Sequence, residues 1–247
     1  MNTIKSLLAI FAHPDDESYR AGGTLALLAR KGIPVWVLCA TRGEWGISNL
    51  PPKEAGVIRQ TELKCACRAL GIQPPRFLDY QDGTLSQVNE EQAIERVVCA
   101  IRELRPQALL TWPLDGVSGH PDHVAVSRWT GEALQRAADP TAYPEHQANG
   151  LLPHSASALY HIVVPRSLAE ALKMTRLHTI PDDLVTLTVD VSAVWDAKMA
   201  AIFCHHSQLS NSPILEAAEG QQRLFLGTEY FQLSEVTATS SSGIHLV

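Results

Sequence analysis

Short continuous apolar runs alternate along the chain with stretches in which apolar residues recur at helical spacing. Residues 6–12 form the first such run and predict a buried strand. Helical periodicity follows over 23–31 and is closed by Gly32, a helix-stop signal. Val35–Thr41 predicts a second buried strand, 55–70 a helix ended by Gly71, and Arg76–Tyr80 a weaker third strand. Helical spacing returns over Glu90–Leu104 and stops before Pro106; residues 108–112 then give a fourth strand ended by Pro113. A helix over 122–138 precedes residues 139–153, whose three prolines, glycine and asparagine predict a long surface loop. A fifth strand is expected at 158–164. Beyond it the order is less regular, with a helix near 168–174, a β-like stretch at 184–189, a helix over 192–205 and a frayed tail after about 234.

Strands separated by helices in this order imply parallel βαβ units. The expected fold is α/β, a Rossmann-like doubly wound, mostly parallel sheet with helices on both faces, and residues 1–247 are expected to form one domain without internal repeats. Ligands of such sheets bind beyond the carboxyl ends of the strands, where strand order reverses. With strand order 3-2-1-4-5, the loops after the first and fourth strands should carry the chemistry.

Composition narrows the function without naming it. Apolar residues make up 45% and charged residues 19%, which supplies a core and argues against disorder. A net charge of −6 and the lack of any basic cluster argue against DNA or RNA as a partner. The apolar stretch at 7–12 is too short for a signal peptide or a membrane span, so a cytoplasmic protein is expected. Five cysteines without a CxxC pair predict buried free thiols in place of a disulfide framework or a cysteine metal site. Cys65 and Cys67, two apart in a helix, should face different ways.

Two His/Asp clusters fall at the two favoured loops: His13-Pro14-Asp15-Asp16-Glu17 after the first strand and Gly119-His120-Pro121-Asp122-His123 after the fourth. Imidazole and carboxylate are the usual ligands of a hydrolytic zinc, which keeps a position for water. Two adjacent carboxylates in one turn cannot easily reach one metal from the same side, so one should bind and the other act as a base on a water whose pKa the metal lowers to about 7. His120 and His123 stand close enough at a helix start to share that site, and Pro121 suits the first turn. A GxSxG elbow and a GxGxxG loop are both missing, which sets aside a serine hydrolase and leaves Gly22 and Gly23 as close-packing glycines.

These motifs resemble the LmbE-like or PIG-L-like deacetylases, through AHPDDE at residues 12–17 and GHPDH at 119–123. The likeness extends through Ala21 to Thr24, Ala40 to Glu44, the helix with Arg59 and Glu62, Asp82-Gly83, and Lys198 to Gln208. The resemblance implies a zinc ion held by His13, Asp16 and His123, with Asp15 as general base and His120 stabilising the oxyanion or protonating the leaving amine. Ferrous iron fits the same ligand set. It also implies substrate contacts from Asp82 and Arg59, and Arg42 lies at the same edge; a turn-forming role, a helix surface charge and an ion pair with Glu44 are the respective plain alternatives. Some family members carry a tyrosine where this chain has Ser118, which leaves more of the carbonyl activation to the metal and His120. His205 and His206 are expected to give packing or indirect support, and Trp36, Trp112, Trp129 and Trp195 to fill the core.

The expected reaction is removal of acetyl from an N-acetylglucosamine-type sugar amide. The alternatives are an amidase acting on a larger N-acyl conjugate and a non-catalytic metal- or sugar-binding module; Asp15 argues against the latter, since pure binding has no use for a base. A small N-acetylated sugar is the expected partner, and a homo-oligomer is left open.

Overall fold

The computed structural model describes residues 2–236 and 244–247. Strand β1 (Asn2–Thr3) pairs in parallel with β9 (Ile244–His245), apart from the main sheet. That sheet has seven strands: β2 (Leu7–Phe11), β3 (Val35–Thr41), β4 (Arg76–Tyr80), β5 (Ala108–Thr111), β6 (Ala158–Ile162), β7 (Leu187–Asp190) and β8 (Thr228–Val236). They lie in the order β4-β3-β2-β5-β6-β8-β7. The first five are mutually parallel in the 3-2-1-4-5 arrangement anticipated, and β8 runs antiparallel to both β6 and β7. The reversal of order falls between β2 and β5, so the loops following these strands open into one crevice.

Both faces of the sheet are covered, which is why its inner strands are continuous apolar runs without alternation. Leu7, Ala9 and Phe11 of β2 enter one apolar cluster, and Leu8 and Ile10 enter the other. On the first face pack α2 (Gly22–Arg30), α3 (Pro52–Leu70) and α8 (Trp195–Cys204), and on the second α4 (Glu90–Leu104) and α5 (Pro121–Ala138). Helix α3 ends as expected, with Gly71 at φ 73°. Helix α2 has no cap from its own sequence; the Glu229 carboxylate of β8 accepts from Gly23 N (2.8 Å) and Thr24 N (2.7 Å) and also binds Lys198 Nζ at 2.7 Å. A negative group at a helix start complements its dipole.

Several expectations need correction. Helix α1 (Asp16–Arg20) begins inside the first motif, and the loop at 139–153 contains α6 (Pro144–Ala148). The helix expected at 168–174 is α7 (Arg166–Ala171), and α9 (Pro213–Glu216) and α10 (Glu219–Leu226) were not foreseen. Of the frayed tail, 234–236 belong to β8 and 237–243 lie outside the described residues. Cys65 and Cys204 are joined in a disulfide, with Cα atoms 5.7 Å apart across 139 residues of sequence. The free thiols expected there do not exist because α3 and α8 pack side by side, a neighbourhood that cysteine spacing cannot show. Cys39, Cys67 and Cys99 are free. Among the described residues no helix is long and apolar enough to cross a membrane.

Candidate active site

The first motif leaves β2 as a turn in which Asp15 adopts φ 108°, a conformation that L-residues rarely take. Three contacts hold it there. Glu17 Oε2 accepts from Asp15 N (3.1 Å), Arg59 Nη2 lies 3.2 Å from Asp15 Oδ2, and the same guanidinium donates to the Pro14 carbonyl. Asp16 then becomes the first residue of α1. Its Oδ2 accepts from Ala12 N (3.0 Å), His13 N (2.9 Å) and Trp112 Nε1 (3.3 Å), which leaves Oδ1 facing His123 Nε2 at 3.3 Å.

The second motif reaches the same crevice from the start of α5. The rings of His13, His120 and His123 have centroids 4.9–5.3 Å apart, and one nitrogen from each lies within 4.8 Å of the others. Hydrogen bonding sorts these nitrogens. His13 Nε2 stands 3.2 Å from both Asp82 Oδ1 and Asp122 Oδ2 and therefore carries a proton, so Nδ1 is the free donor atom. His123 Nδ1 donates to the Gly116 carbonyl (3.2 Å), which frees Nε2, and its ring stacks on Trp112 at 4.4 Å. His120 Nδ1 accepts from Asp122 N (3.2 Å), so its Nε2 bears hydrogen when the ring is neutral. Two imidazoles thus offer lone pairs and the third offers an N–H. With Asp16 Oδ1, the two lone pairs match the donor set of a divalent metal whose histidines are oriented by hydrogen bonds to their other nitrogens.

Electrostatics give these groups different charge states, and a cation at His13 Nδ1 would displace the proton that the surrounding carboxylates favour there. Burial opposes protonation of His13, but the carboxylates of Asp122 and Asp82 override it and push the pKa up to about 10 in the metal-free chain. Burial works against the Asp16 anion, yet His123 and His13 hold its pKa well below the ordinary carboxylate range. Asp15 goes the other way: burial raises it to about 6 despite Arg59, with the neighbouring Asp16 adding to the rise. Burial, with His13 and His123 alongside, lowers His120, keeping it neutral.

The remaining candidates fall in different places. Asp82 is in the crevice, its Oδ2 accepting from Trp45 N at 3.0 Å while Oδ1 faces His13. Arg59 is buried beneath the turn, where side chains on Gly43 or Gly46 would collide with its guanidinium. Arg42 turns outward: it pairs with Asp79 at 2.8 Å and lies over Phe77, so its ion-pair partner is not Glu44.

A sequence profile described as PIG-L, GlcNAc-PI de-N-acetylase, matches residues 8–134. The chain is also 32% identical over 273 aligned positions to 1D-myo-inositol 2-acetamido-2-deoxy-alpha-D-glucopyranoside deacetylase of Thermobifida fusca, covering 93% of this chain and 92% of that one. The chain belongs to the PIG-L family. Among solved structures, N,N'-diacetylchitobiose deacetylase from Pyrococcus horikoshii superposes with a TM-score of 0.74 at 22% identity, over 94% of this chain and 84% of that one. The 4-carboxy-2-hydroxymuconate hydratase GalB of Pseudomonas putida KT2440 superposes at 0.70 and 22% identity, over 97% and 100%. One fold therefore serves amide hydrolysis and hydration, and function has to be argued from the site.

In this PIG-L member the sequence reading passed over several residues that the site uses. Asp122 is fully buried, accepts from Gly83 N (2.7 Å) and Leu85 N (3.0 Å), and ties the loop after β4 to His13; the GHPDH motif contained it, but nothing marked it as distinct from a helix-start acid. Trp112 does more than fill the core, since it touches both Asp16 and His123. Glu17 receives Asp15 N on one oxygen and His205 Nε2 at 2.7 Å on the other. His205 is buried against Glu17, in keeping with a supporting role, whereas His206 is exposed.

Proposed function

We propose that the chain is one catalytic domain that removes the acetyl group from an N-acetylglucosamine-type sugar amide. His13 Nδ1, Asp16 Oδ1 and His123 Nε2 would hold the metal, zinc or ferrous iron. The observation that carries the reading is the sorting of ring nitrogens: hydrogen bonds at His13 Nε2 and His123 Nδ1 leave one lone pair on each of these neighbouring rings, and Asp16 Oδ1 stands 3.3 Å from His123 Nε2. When bound, such a cation acidifies a water and polarises a carbonyl.

The chain's own groups divide the remaining work. Asp15, with its pKa raised toward neutrality, takes a proton from the attacking water at its free carboxylate oxygen. The His120 Nε2–H can hydrogen-bond the oxyanion, and the proton that Asp15 takes from the water passes to the leaving amine. Asp82 stands at the crevice wall, where a carboxylate can receive sugar hydroxyls, although His13 and Trp45 N already engage it. Arg59 acts on substrate through Asp15, and Arg42 is the most peripheral of the three. Likeness to the inositol glucoside deacetylase supports an acetamido sugar as the substrate class.

Acetate release from a panel of 2-acetamido-2-deoxyglucosides, including the N-acetylglucosaminyl inositol, tests the proposal. Release should stop on chelation and return with Zn²⁺ or Fe²⁺. Full activity in metal-free protein, or no acetate from any sugar in metal-loaded protein, contradicts it.

A further inference from the structure

A cavity of about 650 Å³ opens between α1, residues 172–177 and residues 212–225, and it shares no lining residue with the crevice. Half-buried Leu172, Met174, Leu177 and Ile214 give it apolar walls, and its size suits a small molecule. Its charged lining is of one sign. Arg20, Lys173 and Arg176 border it, and among the described residues no aspartate or glutamate does, although the chain as a whole carries a net charge of −6.

Lys173 and Arg176 are exposed to water, but Arg20 is only 5% exposed. Its Nη1 donates to the Phe225 carbonyl, and among the described residues neither Nε nor Nη2 has a hydrogen-bond partner. The guanidinium lies over the Phe225 and Tyr230 rings at 4.5 and 5.8 Å, which attract a cation without supplying a counter-charge. Glu229 acts on it electrostatically, yet that carboxylate is already bound by Lys198 Nζ, Gly23 N and Thr24 N. Two buried cations therefore share one carboxylate, and one positive charge is left over. Burial accordingly lowers the Arg20 pKa to about 10 despite Glu229. An uncompensated buried charge is costly, and an anion that pairs with it relieves the penalty.

Geometry selects the anion. Nε and Nη2 form one edge of the guanidinium, the fork that receives both oxygens of a carboxylate at once. A single excess charge calls for a monoanion, and the walls call for an alkyl or aryl group behind it. We propose that the cavity binds a monocarboxylate with an alkyl or aryl body, its head group on the Nε/Nη2 edge of Arg20 and its body among Leu172, Met174, Leu177 and Ile214. This site is separate from the crevice, and it does not rest on the proposed deacetylation.

The test is calorimetric binding of octanoate to the full chain, before and after chelation. Octanamide, of the same length and uncharged, should bind about tenfold or more weakly, the usual worth of hydrogen bonds to a charged group. Butanoate should also bind about tenfold or more weakly, since each methylene removed from water is worth about fourfold. Arg20→Met replaces the unpaired cation by an apolar side chain of similar length, a kind of change that often costs no stability; it should bring octanoate and octanamide to about equal affinity. Ile214→Asp sets a carboxylate in the lining and should weaken octanoate by about tenfold or more. Equal affinity of the wild type for octanoate and octanamide, no binding of octanoate, or a preference unmoved in folded Arg20→Met overturns the inference. If Arg20→Met does not fold, octanoate binding unmoved in Ile214→Asp does so. Loss of octanoate binding on chelation overturns it too, by moving the carboxylate to a metal in the crevice.

Discussion

Residues 7–138 and residues 166–236 contribute to the site in opposite ways. The first region is a regular succession of parallel strands and long helices, and both histidine motifs lie in it at strand ends. The second is made of short helices and antiparallel strands, and supplies buried partners to the first. His205 holds Glu17, which holds the Asp15 turn. Glu229 caps α2, and Ser207 donates to Glu62 of α3 through both its backbone N–H and its hydroxyl, at 2.8 and 2.7 Å. Reactive groups announce themselves by motif, whereas the groups that position them are visible only as satisfied polar atoms in the interior.

The largest effect should come from breaking that support. Glu229→Ala leaves the buried Lys198 ammonium without its carboxylate and uncaps α2; removing one partner of a buried pair typically costs about 3–5 kcal/mol. Urea unfolding should register a loss of that size, and a loss below about 1 kcal/mol would put the second region's structural role in doubt. Next in size, Cys204→Ser opens a covalent loop spanning 139 residues and should lower stability by about 2–4 kcal/mol. The check is the same titration with and without reductant, which should shift the wild type and leave the variant unmoved.

Moving into the first region, Asp122→Asn weakens the acceptor that fixes the His13 tautomer. Groups of this kind typically change metal affinity by about 10–100-fold. Competition with a chromogenic chelator measures it, and unchanged affinity would point to Asp82 as the sole orienter of His13. The smallest effect should follow Arg42→Ala, because this side chain is engaged with Asp79 and Phe77 at the periphery. A change in kcat/KM beyond about twofold, the range of an ordinary surface substitution, would restore Arg42 to the substrate's surroundings.

Much of the first region was legible because its physics is local. Val35–Thr41, Arg76–Tyr80 and Glu90–Leu104 end where periodicity, glycine and proline say they should, and the strand order put both motifs at one crevice. The second region hid for the converse reason. Strand β8 carries charged and polar residues, among them the buried Glu229, and its sequence shows no continuous apolar run. The Cys65–Cys204 bond and the Glu17–His205 pair join positions more than a hundred residues apart, which no spacing rule reaches. Within the site, the motifs named the histidines, but only hydrogen bonding to Gly116, Asp122 and Asp82 distinguishes lone pairs from N–H donors.

In the proposed reaction Asp15 is the base beside a metal that it does not bind. Asp15→Asn preserves the side chain's shape and its reach to Arg59 while removing the proton acceptor. Steady-state acetate release by metal-quantified protein is the direct measurement. Metal content should match wild type while kcat falls by about 10²–10⁴, the usual worth of general-base assistance. Turnover within a few-fold of wild type at full metal content, or loss of the metal itself, would contradict the assignment.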